Sequence, residues 1–340
     1  MDGFCGDEPP LGAFEAGCWK PESLIKAPAE DPPLRGCEYR VQACRNLCAM
    51  PELPEVEHLR RSLEPWIVGA QLIDVRVLRK SVVTLASETG RSNAVLRAAL
   101  GVGETIVGTD RRGKQMAIAF ANGRFLVIQL GMTGSVTIER GAPPRGVEAR
   151  HRHVIWNSYS PALPSEPEPW RLVFRDPRRF GGLTAYHSRE VLDRVWNTLG
   201  PDALNIAGDE LLDALARTRR PIKSALLDQS VLAGVGNIYA DESLHAAGIH
   251  PLQTASAVPT AQVHRLASEI RRILGRATAE GGSTLRDYRD AFGKPGNAVQ
   301  VHAAYGREGQ PCLRCGTNLL GLRLQGRATV FCPRCQDLST

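Results

Sequence analysis

The stretch KQMAIAFANGRFLVIQL, residues 114–130, consists of two apolar runs joined at Asn122-Gly123. Each run is rich in residues that favour β-strands, and an Asn-Gly pair between two such runs is the strongest short-range signal for a β-hairpin. The stretch therefore predicts two adjacent antiparallel strands, with Lys114 at or just before the start of the first.

Similar short runs lie on both sides of this hairpin, and together they predict eight strands. The other six are residues 70–78, 104–109, 134–139, 152–157, 170–175 and 180–186. The Pro-rich residues 158–169 are predicted to form an exposed loop between two of these strands. Before the first strand, Val56, Leu59 and Leu63 follow helical spacing. Hairpin-length connections indicate an antiparallel sandwich or barrel with a flanking helix.

From about residue 188 the apolar residues change to a helical period. One stripe ends at Gly200-Pro201, and further helices are predicted over 208–218, 221–229, 237–247 and 260–280. The chain therefore divides into a β domain (50–187), a linker (188–200), a helical domain (201–298) and a small metal module (299–340). The fold class is a multidomain α+β protein.

The last 30 residues carry two close pairs of cysteines, each with two residues between its members. Such pairs can supply four thiolates in the tetrahedral arrangement that structural zinc prefers. Four protein ligands close the shell, so we expect one structural Zn²⁺ rather than a catalytic ion; two disulfides or free thiols are the alternative. The cysteines are Cys312, Cys315, Cys332 and Cys335. Between the pairs, a predicted hairpin carries Arg327 near its tip, where it could hold a phosphate or simply be solvated.

Composition limits the class of protein. Of the 340 residues, 43% are hydrophobic and 23% are charged, which are ordinary values for a globular chain. No run approaches the roughly 18 apolar residues of a membrane span. The net charge is +6, and acidic residues outnumber basic ones in residues 1–49, so the remainder is more basic still and suits a polyanionic partner. The cysteine distribution favours a reducing cytoplasm.

Residues 1–49 contain five of the nine cysteines and show no sustained period. We expect a disordered leader, or translated sequence upstream of the true start codon; a regulatory or metal-binding tail is the alternative.

The sequence MPELPEVE, residues 50–57, places a proline directly after a methionine. If the working protein begins at Pro51, its nitrogen is a secondary amine. An α-amino group titrates near pH 8, well below a lysine, so much more of it is neutral and nucleophilic at pH 7. Attack on an aldehyde-level carbon would give an iminium ion, with Glu52 as general acid. A proline that merely leads into a helix is the other interpretation.

Several motifs, in order along residues 50–340, resemble those of the formamidopyrimidine-DNA glycosylase family of base-excision repair enzymes. Besides MPELPEVE they are RRGK (111–114), QLGMTG (129–134), DPRRFG (176–181), LDQ (227–229), GVGNIYA (234–240), GIHP (248–251) and YGREG (305–309). The resemblance implies a β-sandwich, a helix-two-turn-helix domain and a four-cysteine zinc finger.

The resemblance also implies site residues. Pro51 would be the nucleophile, Glu52 the acid, Lys114 the lysine for β-elimination, and Arg327 a phosphate ligand that assists δ-elimination. Once a base is flipped out, an apolar wedge and an arginine must fill the gap in the stack. The expected wedge is Met132, Arg178 and Phe180; the expected phosphate contacts are His151, Arg219, Lys223 and Asn237. Gly281–Gly296 would form the loop over the lesion.

The implied activity is excision of oxidised purines, 8-oxoguanine and formamidopyrimidines, followed by cleavage of the abasic site. The partner would be double-stranded DNA with oxidised bases or abasic sites, bound by a monomer in the cytoplasm or nucleoid. Two alternatives stay open: an endonuclease VIII-like glycosylase for oxidised pyrimidines, and a catalytically silent protein that binds damaged DNA. The second applies if residues precede Pro51, because its nitrogen is then a tertiary amide and not a nucleophile.

Overall fold

A computed structural model of the chain describes residues 51–86, 90–142, 146–159, 169–283, 290–293 and 302–338. The predicted leader (1–49), residues 160–168 of the predicted loop 158–169 and most of the predicted lesion loop Gly281–Gly296 lie outside these residues. Among the helices described, none is both long and apolar enough to cross a membrane.

Two sheets form the first half of the described chain. Their nine strands are β1 (Gln71–Val77), β2 (Val83–Leu85), β3 (Ile106–Arg112), β4 (Gln115–Phe120), β5 (Phe125–Gln129), β6 (Ser135–Arg140), β7 (Arg152–Tyr159), β8 (Trp170–Arg175) and β9 (Gly182–Tyr186). The sheet orders are β1-β7-β8-β6 and β2-β9-β5-β4-β3. All eight predicted strands are confirmed. The three-residue strand β2 was missed, and it pairs with β9 in parallel, so an entirely antiparallel sandwich was wrong at this one pair.

The hairpin of residues 114–130 forms as predicted, with Gln115 opposite Gln129 and Ala119 opposite Phe125. At its turn, Gly123 has a φ of +81°, a conformation that glycine adopts without strain. The Asn122 side chain accepts a hydrogen bond from the backbone N–H of Arg124 at 3.0 Å. Two local features thus fix the register of the central strands of the five-stranded sheet.

Seven α-helices lie in the described residues. They are α1 (Leu53–Ile67), α2 (Asn93–Ala99), α3 (Arg189–Trp196), α4 (Gly208–Ala216), α5 (Ile222–Leu227), α6 (Asn237–Ala247) and α7 (Thr260–Ala279). The sequence predicted all of them except the seven-residue α2. Within α1, Leu53 packs into the core of the helical domain, whereas Val56, Leu59 and Leu63 pack into the core of the β domain. A single helix therefore joins the two cores.

The predicted linker, residues 188–200, contains helix α3, which packs on the five-stranded sheet. Leu192 and Trp196 share a buried cluster with Val127 of β5, and Trp196 Nε1 donates to Gln115 Oε1 at 2.8 Å. These contacts tie this segment to the β domain.

The C-terminal module is a hairpin, β10 (Leu320–Leu324) and β11 (Arg327–Phe331), flanked by the two cysteine pairs. Its turn is the pair Gln325-Gly326, and both residues have positive φ, as a tight two-residue hairpin turn requires. Arg327 is therefore the first residue of β11 rather than part of a longer loop. The module docks on α6 because the backbone N–H of Val330 donates to Asp241 Oδ2 at 3.1 Å.

Candidate active site

The carboxylate of Glu52 lies on the N-terminus of helix α6. Its two oxygens accept hydrogen bonds from the backbone N–H of Gly236 at 2.6 Å and of Ile238 at 2.9 Å. The first N–H groups of a helix have no partner within the helix and carry a partial positive charge. They therefore provide a natural site for an acidic side chain. This contact joins residue 52, directly before α1, to the helical domain.

Two glycines allow this close approach. A Cβ atom on Gly236 would overlap the Glu52 carboxyl group, and a Cβ atom on Gly234 would overlap the Leu53 side chain. The motif GVGNIYA thus has a physical reason: its glycines let the start of α1 lie directly against the loop that leads into α6.

Burial raises the pKa of the Glu52 carboxyl to about 7. Charge on Lys114 and the N–H donors of Gly236 and Ile238 oppose this shift, whereas charge on Glu55 adds to it. The side chain is only 2% exposed, so loss of hydration is the dominant effect. A carboxyl group with this pKa is suited to donate a proton near neutral pH.

Glu55 is a second buried carboxylate of the site, which the sequence analysis did not assign. One of its oxygens accepts from the backbone N–H of Glu52 at 2.8 Å. The other accepts from the Tyr239 hydroxyl at 2.7 Å and from the backbone N–H of Ser283 at 2.6 Å. Burial raises its pKa as well. The available signal was its spacing, because an acidic residue three positions after a helix cap commonly bonds back to that cap.

Lys114 lies in the two-residue turn between β3 and β4, and the helical domain holds that turn in place. Arg111 forms a two-pronged ion pair with Asp202, at 2.7 and 3.0 Å, and the N–H of Gly113 donates to the same carboxylate at 2.8 Å. Gly113 has a φ of +55° and lies against Ala233. The turn is thus fixed beside the loop that precedes α6.

The amine of Lys114 interacts electrostatically with both carboxylates and with Arg327. Burial lowers its pKa, and the two carboxylates work against that shift. The structure therefore groups Glu52, Glu55, Lys114 and Arg327 around one place, next to the buried Pro51. Arg327 is the exposed member of this group.

Lys223 has a position that differs from the prediction of a phosphate contact. Its side chain is 0% exposed. Its ammonium group lies 2.7 Å from Asp241 Oδ1, 2.9 Å from the carbonyl oxygen of Ala328 and 2.8 Å from the Thr329 hydroxyl. The first of these contacts is an ion pair, and the ammonium group donates hydrogen bonds in the other two. Lys223 therefore holds the start of β11, where Arg327 lies, against α5 and α6, and its burial argues against the predicted phosphate contact.

Asn237 supports the same strand. Its side-chain amide donates to the carbonyl oxygen of Ala328 at 3.0 Å. Both Asn237 and Lys223 thus contact the residue that follows Arg327.

The three residues predicted to form the wedge lie on two neighbouring turns. Phe180 is 60% exposed, the Arg178 guanidinium carbon lies 4.8 Å from its ring centroid, and Met132 is half-buried. Buried Asp176 joins the turns, because its carboxylate accepts from the Thr133 hydroxyl at 2.5 Å and from the N–H of Gly181 at 2.7 Å. The predicted phosphate ligands His151 and Arg219 are exposed.

The four cysteines form one cluster, with all four sulfur atoms within 4.8 Å of one another. Tetrahedral zinc with Zn–S distances near 2.3 Å fits such a cluster. Backbone N–H groups of Arg314 and Cys335 point at the sulfurs of Cys312 and Cys332 at 3.4 Å, as expected around thiolates. Together, Cys312, Cys315, Cys332 and Cys335 hold one structural zinc, and the prediction is confirmed.

Three successive parts of the chain match models of known protein families. They are described as the formamidopyrimidine-DNA glycosylase N-terminal domain (residues 50–183), its H2TH domain (199–289) and the zinc finger found in FPG and IleRS (309–338). The formamidopyrimidine-DNA glycosylase of Thermomicrobium roseum is 39% identical over 301 residues, covering 85% of this chain and 100% of the relative. The chain belongs to the formamidopyrimidine-DNA glycosylase family. It is thus a DNA glycosylase and abasic-site lyase that acts on damaged DNA.

Solved structures agree with this assignment. The chain matches a complex between a Lactococcus lactis FPG variant and DNA containing Fapy-dG, with a TM-score of 0.73 and 31% identity. It also matches MutM in complex with DNA containing carbocyclic 8-oxo-G, with the same score and identity. Each match covers 84% of this chain and 100% of the solved chain.

The contact between Glu52 and α6 can be tested at Gly236. We expect Gly236→Ala to displace the Glu52 carboxyl and to slow base excision by about 100-fold, since a misplacement of roughly 1 Å can cost that much. The measurement is single-turnover excision on a damaged duplex, with a melting curve to check folding. Gly275→Ala in α7, where a Cβ meets nothing within 4 Å, is the matched control and should keep full activity. Normal excision by a folded Gly236→Ala protein would contradict the assignment.

The reassignment of Lys223 can be tested by comparison with Arg219. Lys223→Met removes one partner of a buried ion pair, so we expect the free energy of unfolding to fall by about 3 kcal/mol. The salt dependence of DNA affinity should keep its slope. Arg219→Ala should instead leave stability unchanged and reduce that slope by about one. Unfolding curves and binding isotherms at several salt concentrations provide the test, and a reduced slope with normal stability in Lys223→Met would show that Lys223 contacts phosphate after all.

Proposed function

We propose that this protein excises oxidised purines, 8-oxoguanine and formamidopyrimidines, through a Schiff base on Pro51 followed by β- and δ-elimination. The observation that carries the proposal is the placement of Glu52. Its carboxyl group, with a pKa of about 7, is fixed on the N-terminus of α6 directly beside Pro51 and close to Lys114. An amine, an acid and a second amine with lowered pKa are the groups that this chemistry needs.

Each residue has a defined task in this proposal. The protonated Glu52 carboxyl donates its proton to the sugar ring oxygen as the ring opens. The Pro51 nitrogen attacks C1′ with its lone pair as the bond between C1′ and the base breaks. The base leaves with the electron pair of that bond and, in total, with the proton that the Pro51 nitrogen gives up, and opening of the sugar ring leaves an iminium ion. Burial lowers the pKa of Lys114, and this amine, once deprotonated, can take the C2′ proton during β-elimination while the 3′ phosphate leaves with the electron pair of its bond to C3′.

Arg327 completes the proposed lyase steps. Its exposed guanidinium group near Lys114 suits a phosphate that must be held and then released in δ-elimination. Lys223 and Asn237 contribute by fixing the strand that carries it. The zinc ion has a structural task only, because four thiolates leave no coordination position for water.

The proposed DNA surface combines a wedge and phosphate contacts. Met132, Arg178 and Phe180 would fill the space left by the extruded nucleotide, with Arg178 facing the base opposite the lesion. His151 and Arg219 are exposed and could contact phosphates. Asn237 is half-buried at the start of α6, where helix N–H groups favour an anion. We expect double-stranded DNA as partner, a monomeric protein, and the cytoplasm or nucleoid as its location.

Support for the lesion class comes from the relatives. The matching solved complexes contain Fapy-dG or an 8-oxoguanine analogue, both of them oxidised purines. A chain in which residues remain attached to Pro51 would bind damage without cutting, because an amide nitrogen cannot attack C1′.

Borohydride trapping tests the nucleophile. A protein that begins at Pro51 after removal of Met50 should form a covalent adduct with a duplex containing 8-oxoguanine, and much less with one containing thymine glycol. The full chain from Met1, its mass confirmed, should bind the duplex and form no adduct. Acetylation of the Pro51 nitrogen is the matched control. An adduct formed by the full-length or the acetylated protein would refute the role of Pro51.

A further inference from the structure

A row of polar side chains leads away from the active site behind Glu55. The Tyr239 hydroxyl lies 2.7 Å from Glu55 Oε1, the Ser283 hydroxyl oxygen lies 3.2 Å from the Tyr239 hydroxyl oxygen, and His302 Nε2 lies 2.9 Å from the Ser283 hydroxyl oxygen. Tyr239 and Ser283 are 2% and 3% exposed. The proposed chemistry has not assigned a task to these three side chains.

Counting protons fixes the direction of these hydrogen bonds. Tyr239 has a single hydroxyl proton, and it donates that proton to Glu55. Ser283 must therefore donate its own hydroxyl proton to the Tyr239 oxygen. Because this uses the one proton that Ser283 has, His302 must donate to Ser283 from a protonated Nε2. All three bonds thus point toward the carboxylate.

The far end of the row borders a cavity of about 50 Å³. A water molecule needs roughly 10–15 Å³ of such volume and several polar partners, so the cavity can hold a few waters. The cavity is lined by Tyr239, Glu242, Ile273, Arg276, Ala277, Ser283 and His302. Arg276 is exposed, so the cavity lies near the protein surface.

The groups that face His302 balance each other. Burial lowers the pKa of His302, and the charge on Glu242 of α6 opposes this shift. The Glu242 carboxylate is itself held by the backbone N–H groups of residues 303–305, at 2.8 to 2.9 Å. Arg276 of α7 lines the same cavity, and the Tyr305 ring lies edge-on to the imidazole at 5.8 Å. The imidazole is thus held in a fixed place between Ser283 and the cavity.

We propose that His302, Ser283 and Tyr239 form a proton relay that connects Glu55 to water in this cavity. A proton taken up from water at His302 Nδ1 is balanced by loss of the Nε2 proton to Ser283. Ser283 passes its own proton to Tyr239, and Tyr239 passes its own to Glu55. One proton moves inward in total, and His302 is left neutral. The inference rests on the proposed function and adds a positioning residue, His302, to it.

The relay gives the site a way to exchange protons while DNA is bound. A duplex on the active site would shield Glu52 and Glu55 from solvent on that side. Charge on Glu55 raises the pKa of Glu52, so the proton content of Glu55 determines how readily Glu52 acts as an acid. The relay keeps the protonation of Glu55 in equilibrium with water in the cavity.

Replacement of the histidine with chemical rescue tests the relay. His302→Ala, in a protein beginning at Pro51, should slow single-turnover excision of 8-oxoguanine by about tenfold or more. Imidazole at millimolar concentration should restore the rate several-fold, because it can enter the enlarged cavity. His302→Ala/Ser283→Ala should be equally slow but not restored. His264→Ala, at an exposed histidine that pairs with Asp209 at 3.1 Å, is the matched control and should behave like the parent.

Two further measurements distinguish failure of the relay from failure of the proposed function. Borohydride trapping on a duplex with a preformed abasic site does not require base departure, so His302→Ala should trap like its parent. If the parent does not trap, the proposed function fails rather than the relay. His302→Gln can donate to Ser283 but cannot take up and release protons readily, so it should stay slow with or without imidazole. Full activity in His302→Gln, or a slow His302→Ala protein that imidazole does not restore, would overturn the relay.

Discussion

The active site depends on one buried contact, between the Glu52 carboxylate and the N-terminal amides of helix α6. Burying a carboxyl group is costly unless hydrogen bonds compensate, and here the backbone N–H groups of Gly236 and Ile238 supply them. The contact also joins residue 52, at the start of the β domain, to α6, the third helix of the helical domain. Pro51 and Lys114 owe their positions to this junction, since Gly113 packs against the same loop before α6. Catalytic geometry and domain packing therefore share one cause.

The zinc finger extends this arrangement to Arg327. The thiolate cluster fixes the open end of the β10–β11 hairpin, where the strands meet the two cysteine pairs. Lys223 and Asn237 fix the end at the turn, through the carbonyl oxygen of Ala328. The backbone of Arg327, the residue before Ala328, is thus held by the cysteine cluster at one end of the hairpin and by buried polar contacts at the other. A long exposed side chain gains precision when its own backbone is immobilised in this way. The finger is a support for chemistry that takes place at its tip.

Features set by local patterns could be predicted from the sequence, whereas features set by burial could not. The hairpin of residues 114–130, the long helices and the cysteine cluster follow from turn residues, periodicity and spacing. Strand β2, with three residues, and helix α2, with seven, are too short to show a period. Lys223 was assigned to phosphate by resemblance to the family, and only the fold reveals Asp241 beside it. Ser283 meets Glu55 across 228 residues, a contact that no local pattern encodes, and His302 is linked to Glu55 only through Ser283 and Tyr239.

By raising the pKa of Glu52 to about 7, the fold keeps this carboxyl group able to act as an acid near neutral pH. The most direct test is a ¹³C NMR titration of carboxyl-labelled glutamates in the protein that begins at Pro51, with the Glu52 signal assigned by its absence in Glu52→Gln. We expect a midpoint at about pH 7. A midpoint near the ordinary value of 4.5 would show that the carboxyl group is ionised at working pH, and it would contradict the proposed acid.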